Sequence, residues 1–276
     1  MKRNIFKEEL IKCSVNIDKV DTNSLVILIG TLFSKDNEIL TKELIEKQNK
    51  IIYCSAIEDT FLHTDNFLHV KYEVGSEVGF LALLTKQLFE NNETLCDDTK
   101  EYLNELDDGY LSAESNVSEE EIEEIVKLID KSSKCTLLFG EDIYNHPNAK
   151  ELVGLLSILT NNDTLRVSLL ENSSCVSEKK RDFLIEIDEL QSYDGTIVYM
   201  LPNSKDDTKI FGSAQFGVAA KIKDKDIVEL KIENETFVRE FCLKTDAKGT
   251  IAILPIKEDL HEYRFKKVKI TKMDTK

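Results

Sequence analysis

Two apolar runs, each stopped by a glycine, set the pattern of the first half of the chain. Ser24–Gly30 reads SLVILIG and Cys135–Gly140 reads CTLLFG. A short, continuously apolar run that ends at a turn residue predicts a strand buried on both faces, as in a parallel sheet. An amphipathic stretch follows each run. Leu152, Leu155, Leu156 and Leu159 recur at helical spacing and predict a helix over Asn148–Leu159. Pro147 stands at its start, where a missing N–H costs nothing. Leu40, Leu44 and Ile45 predict a helix over Glu38–Lys47 in the same way. Ile51–Ala56 and Leu165–Leu170 then read as the next strands. Two strand–helix–strand units with short links predict right-handed crossovers into one parallel sheet.

The remaining periodicities fill in around these units. A short helix is expected near Lys7–Ile11, an alternating strand at Leu68–Tyr72, and an apolar helix at Ser76–Phe89 with Ser76 as its N-cap. Ser118 followed by Glu121 forms a capping box for a helix over Glu119–Lys131. Phe183–Leu190 alternates and fits either strand or helix. Beyond Pro202 the helical period disappears. Thr196–Leu201, Phe216–Lys221, Ile227–Ile232, Thr236–Lys244, Gly249–Leu254 and Tyr263–Thr271 predict short strands at hairpin intervals. Such a run closes most naturally as a compact barrel or sandwich. The expected fold is therefore α/β: a Rossmann-like parallel sheet with helices over residues 1–189, then a small β-barrel-like module over residues 190–276.

Charge narrows the function classes. Lys and Arg total 36 against 52 acids, a net charge of −16. Nucleic acid, whose phosphates require a basic surface, is excluded as a partner. The acids concentrate in Glu90–Glu124, where 14 of them face one base, Lys100. Like charges and few apolar anchors predict an excursion from the core, partly mobile, with a short helix at Thr99–Leu106 and with Glu90–Glu114 dispensable for folding. No apolar run approaches the ~18 residues of a membrane span, and the N-terminus lacks a signal core. The expected location is the cytoplasm, with no direct membrane insertion.

Candidate chemistry is sparse. Gly30 and Gly140 end strands where open α/β sheets bind ligands. Neither belongs to a G-x-G-x-x-G or G-x-x-x-x-G-K-[ST] sequence. Glu141–His146 reads as a polar loop after the second run. Its Glu141 and Asp142 repel phosphate, and His146 fits a turn and cap better than a ligand site. These three residues form the one candidate ligand or partner loop; the competing reading is a small-molecule or nucleotide site in the cleft near Gly30 and Gly140. His69 is expected at the surface or rim of a strand. The six cysteines, Cys13, Cys54, Cys96, Cys135, Cys175 and Cys242, include no C-x-x-C pair. Several read as core residues, and Cys175 as an exposed neutral thiol. No catalytic, cofactor-binding or metal-binding residue is nominated, and no cofactor is expected.

One resemblance rests on the tail. Ala220–Leu230, with Ile222, Lys223, Asp224, Asp226 and Val228 in register, then Gly249, Thr250 and Ile251, resembles the dinucleotide-binding module of molybdopterin oxidoreductases. Lys225 stands where that module usually has glycine, which implies an altered turn. KYEVGSEVGFLALL and GEDIYNHPNAKELVGLL are similar to the degenerate molybdopterin-oxidoreductase region in the large peripheral-arm subunit of NADH-quinone oxidoreductase, respiratory complex I. The resemblance spans about Asn23–Thr271 in the same order. It implies a scaffold of the peripheral arm, without molybdenum and without its own catalytic site. The implied partners are the other peripheral-arm subunits, which would hold the chain at the inner face of the cell membrane. The clustered cysteines that ligate iron–sulfur centres in that family have no counterpart here.

Overall fold

The computed structural model describes residues 5–13, 15, 17–90, 95–170, 184–187 and 189–273. The chain folds into two compact units, Met1–Gln191 and Ser192–Lys276. The first is a five-stranded parallel sheet flanked by helices; the second is a seven-stranded mixed sheet, nearly closed into a barrel. Both halves of the expected fold class hold.

In the first unit, α1 (Ile5–Lys12) precedes β1 (Leu25–Ile29), α2 (Phe33–Asp36), α3 (Glu38–Glu46), β2 (Ile51–Cys54) and β3 (Phe67–Val70). Then come α4 (Glu77–Phe89), α5 (Asp97–Glu105), α6 (Asp108–Ser115), α7 (Glu119–Asp130), β4 (Cys135–Phe139), α8 (Glu141–Tyr144), α9 (Ala149–Leu159) and β5 (Leu165–Leu169). The sheet order is β3-β2-β1-β4-β5, with every pair parallel. Strands β1 and β4 are central and buried at every position, which explains why their sequences are apolar without alternation. On one face Val26, Leu28, Ile51, Tyr53 and Leu138 pack against Phe33, Leu44 and Leu62. Helix α9 packs against α1 and α4.

Two expectations in this unit fail. Ser76 does not cap α4 through its side chain; its hydroxyl donates backwards to Glu73 O at 2.6 Å. The acidic stretch is no loose excursion over its described residues 95–124. It folds into α5, α6 and α7, which all contact α4. Leu95, Thr99, Leu103, Leu111, Ser115 and Val117 are buried. The acids occupy the outer faces, so a few well-spaced apolar residues suffice to anchor each short helix. The capping box holds: Glu121 N–H donates to Ser118 Oγ at 3.3 Å and Ser118 N–H to Glu121 Oε2 at 2.9 Å.

The second unit contains β6 (Ile197–Leu201), β7 (Lys209–Gly212), α10 (Ala214–Ala220), β8 (Ile227–Ile232), β9 (Glu235–Leu243), β10 (Ile251–Pro255), β11 (Phe265–Lys267) and β12 (Lys269–Lys272). Its order is β11-β6-β10-β7-β9-β8-β12. The end strands β11 and β12 are consecutive in sequence and separated only by Val268, so the chain itself spans the seam. Val198, Met200, Ile210, Phe216, Val228, Leu230, Phe241 and Leu254 fill the interior.

The predicted strand Phe216–Lys221 is instead helix α10. Ser213 Oγ accepts from Phe216 N–H at 3.0 Å, and Lys221 closes the helix in the left-handed region at φ 57. Local capping and an alanine-rich stretch override the hairpin rhythm of the flanking strands. Lys225 also adopts φ 69. That left-handed conformation favours glycine, so Lys225 holds the turn against a steric cost. Lys225 N–H donates to Phe241 O, Lys223 N–H to Asp226 Oδ2 and Leu243 N–H to Asp224 Oδ1. The loop Asn172–Lys180 with Cys175 lies outside the described residues, as do Phe183 and Asp188. Residues 184–187 form neither strand nor helix.

Candidate functional site

The order β3-β2-β1-β4-β5 reverses direction between β1 and β4. Ligands bind open α/β sheets at the carboxyl ends of the strands at such a point. Gly30 and Gly140 stand there, and the protein's own atoms fill the space between them. A Cβ on Gly30 would overlap Ile143 Cγ1 and lie 2.8 Å from Ile143 Cδ1, and Gly30 itself needs its φ of +65. A Cβ on Gly140 would overlap Thr31 Cβ and lie 2.7 Å from Gly30 O. Both glycines are there for close approach of backbone to backbone and side chain, a role the sequence leaves open between turn and phosphate cradle.

The stretch Glu141–His146 is consequently not a polar loop. Helix α8 folds back over the strand ends and buries Asp142, Ile143, Tyr144 and His146; only Glu141 and Asn145 are partly exposed. Asp142 N–H donates to Gly30 O at 3.1 Å. The Tyr144 ring lies 5.8 Å from that of Phe6, and its hydroxyl donates to Phe139 O at 2.7 Å and accepts from Leu170 N–H at 2.8 Å. An isoleucine and a tyrosine with a backbone acceptor within reach drive this burial, despite the two acids at the start.

Neighbouring strand ends are satisfied in the same way. Tyr53 OH donates to Thr31 O at 2.8 Å. Asp36 Oδ2 accepts from Thr31 Oγ1 at 2.6 Å and from Leu32 N–H at 3.0 Å. Buried Asp59 accepts from Ser34 N–H and Phe61 N–H. His69 Nε2–H donates to Ser55 O at 3.0 Å while its ring stacks on Tyr53, with centroids 5.5 Å apart. His69 is thus half-buried, at the rim of the sheet, and burial lowers its pKa from the ordinary 6.5.

This end also holds a buried hydrogen-bonded pair that sequence reading missed. Glu77 Oε2 and His146 Nε2 are 2.9 Å apart, and both side chains are fully buried. Asn148 N–H donates to His146 Nδ1 at 3.0 Å. A ring nitrogen that accepts carries no proton, so the imidazole holds its proton on Nε2 and gives it to the Glu77 carboxylate. Both ring nitrogens are committed, one to holding α4 and the other to fixing the entry into α9. His146 therefore ties the entry of α9 to the start of α4. Glu77 had a legible signal: it is the one acid in EVGFLALL, at the first position of a helix buried on nearly every face.

Tyr72 and Tyr53 are both buried in the same unit. Burial pushes both phenols far above their usual range, with Glu77 and Asp142 adding to the shift at Tyr72 and Asp59 and Asp142 adding to it at Tyr53. These hydroxyls stay protonated. The buried thiols behave alike: burial raises Cys13 to about 11 and Cys135 to about 12. Such thiols are core residues, not nucleophiles. Elsewhere His63 pairs with Glu58 at 3.1 Å and His261 with Asp259 at 3.3 Å, both at the surface. Among the described residues, no three His, Cys, Asp or Glu side chains come together as a metal site.

No protein-family profile matches the chain, and no curated protein matches its sequence. Among solved structures, acetylene hydratase from Pelobacter acetylenicus, an enzyme of the molybdopterin-oxidoreductase family, is similar with a TM-score of 0.47 and 14% identity. The similarity is a distant one of fold. It covers 56% of this chain and 24% of that enzyme, so the chain spans about a quarter of its length.

Proposed function

We propose that this chain is a non-catalytic scaffold, a degenerate molybdopterin-oxidoreductase-like portion of the peripheral arm of a respiratory NADH-quinone oxidoreductase, resembling the large subunit of that arm. The observation that carries the reading is the closed strand end. Ile143 packs on Gly30, Thr31 packs on Gly140, and Tyr53, Tyr144 and His69 donate to the carbonyls of Thr31, Phe139 and Ser55. A cofactor site at this switch point needs free backbone donors and open volume. Here the Leu32, Ser34 and Asp142 amides donate to Asp36, Asp59 and Gly30 O, and Ile143 and Thr31 occupy the space beside the two glycines, which favours a structural use of the fold over a small-molecule site. The quoted tail and helix motifs, in their order, supply the link to that large subunit.

In this reading electrons pass through other subunits, and the chain reaches the inner face of the membrane through its partners. The test is affinity capture of the tagged chain from gently solubilised membranes, followed by mass spectrometry. Peripheral-arm subunits of the complex are expected at stoichiometric levels. Their absence, or a stoichiometric nucleotide, molybdenum or iron in the purified chain, would overturn the assignment.

A further inference from the structure

The chain contains two Asp-Gly steps, Asp108-Gly109 and Asp194-Gly195, and the fold treats them differently. An Asp-Gly step carries a reaction within itself. Glycine has no side chain to hinder its amide nitrogen, which can close a five-membered ring on the aspartyl carboxyl carbon. Closure requires the main chain to turn so that this nitrogen meets Cγ. Asp108 opens helix α6, and helical backbone fixes ψ away from that arrangement. Its carboxylate is also engaged, with Oδ2 2.9 Å from Lys86 Nζ.

Asp194 and Gly195 have neither restraint. Both are exposed, and they lie in neither helix nor strand. Among the described residues no hydrogen bond or ion pair reaches either of them. Gly195 stands at φ +102, and a Cβ there would meet nothing within 4 Å. The flanks, by contrast, are anchored. The Tyr193 ring lies 5.9 Å from that of Tyr263. Thr196 Oγ1 donates to Val268 O at 2.8 Å, and Thr196 O accepts from Val268 N–H at 3.1 Å. A short free turn with a solvated amide and a solvated carboxyl thus sits between two fixed points, just before β6.

We propose that Asp194 is a site of spontaneous backbone isomerisation to isoaspartate in the folded protein. The Gly195 nitrogen attacks Cγ of the protonated carboxyl group, a new N–Cγ bond forms, and the amide proton leaves with the carboxyl hydroxyl as water. The product is a cyclic imide. Water then adds back at either carbonyl. Addition at Cγ breaks the new bond and restores aspartate. Addition at the main-chain carbonyl breaks the original peptide bond, so the chain continues through Cβ and Cγ and a free carboxylate stands on Cα. One water leaves and one returns, with no oxidant or cofactor and no change in mass. The product has one more methylene in the main chain at the entry to β6. This reaction is independent of the scaffold reading.

The test is prolonged incubation of the full chain at mildly acidic pH, followed by peptide mapping with mass spectrometry. Isoaspartate appears as a second chromatographic peak of identical mass that an aspartate-specific protease no longer cleaves before Asp194. Asp108 serves as the reference within the same sample. In the native chain conversion at Asp194 should exceed that at Asp108 by about tenfold or more, because α6 must open before Asp108 can react. In concentrated urea, where the helix is gone, the two steps should convert at similar rates. Asp194→Glu keeps the charge but lengthens the ring to be closed, and it should abolish the new peak. A native chain that forms no such species at Asp194 overturns the proposal. So does equal conversion at Asp108 in the native chain, or a new peak that persists in Asp194→Glu.

Discussion

His146 carries a different load from a surface histidine in a turn. Its imidazole joins the Glu77 carboxylate on one side and the Asn148 amide on the other, and both side chains of the pair are fully buried. His146→Ala would remove a buried donor to the Glu77 carboxylate, at a cost of about 1–3 kcal/mol of stability. Glu77→Gln keeps an oxygen for the Nε2 proton and should cost clearly less. Urea denaturation of the two variants checks the order; equal losses would argue that the pair contributes nothing as a pair. Lys225 presents the opposite case. Its φ of 69 is strained for a side-chain-bearing residue, so Lys225→Gly should gain about 0.5–1 kcal/mol after the entropy of glycine is set against the relief. His69 sets a pH dependence. Burial disfavours its charged form, so the unfolded chain takes up the proton first as pH falls below the ordinary value of 6.5. Stability should therefore fall with pH in that window and be indifferent to His69 above it. The urea midpoint of the native chain minus that of His69→Gln, followed from about pH 8 to about pH 5, should show a slope only below that value.

At the scale of elements, the acid-rich helices are the sharpest change from expectation. Net charge and sparse apolar residues read as an arm that can be cut away. In the fold, Leu103 and Leu111 are buried, and both α5 and α6 pack on α4, a helix with ten of its 13 residues buried. Leu103→Ala and Leu111→Ala should each cost about 2–4 kcal/mol by leaving a cavity, and replacement of Leu95–Val117 by a flexible linker should expose α4 and abolish cooperative unfolding. Thermal denaturation followed by circular dichroism distinguishes this from a dispensable arm. The capping box at Ser118 is worth less: Ser118→Ala should cost about 1 kcal/mol.

For the whole molecule, the charge is lopsided. Met1–Gln191 holds 20 basic and 38 acidic residues, whereas Ser192–Lys276 holds 16 and 14. A strong negative field on one unit steers association with basic surfaces and is screened by salt. On the proposed scaffold reading, capture of partner subunits should therefore weaken as ionic strength rises. Asp97→Lys/Glu101→Lys on the outer face of α5 should slow association without altering the fold. Surface plasmon resonance against the captured partners at about 50 mM and about 500 mM salt checks both expectations.

The sequence alone determined the architecture, because apolar periodicity and burial are the same physical demand. Buried parallel strands must be apolar without alternation, as β1 and β4 are, and a helix packed on one side must repeat apolar residues at its own period. The capping box of α7 was equally legible, since both partners lie within four residues of each other. What the tertiary structure decided depends on contacts between distant segments. Gly30 and Gly140 look alike whether a phosphate or Ile143 sits above them, and only the fold brings Ile143 there. Glu77 and His146 are 69 residues apart, so no spacing rule could join them. The acids of α5 and α6 advertise solvent along the chain, while the burial of Leu103 and Leu111 depends on α4 lying beneath them. Helix α10 was hidden for the converse reason: its local cap was present, but the rhythm of the neighbouring strands masked it.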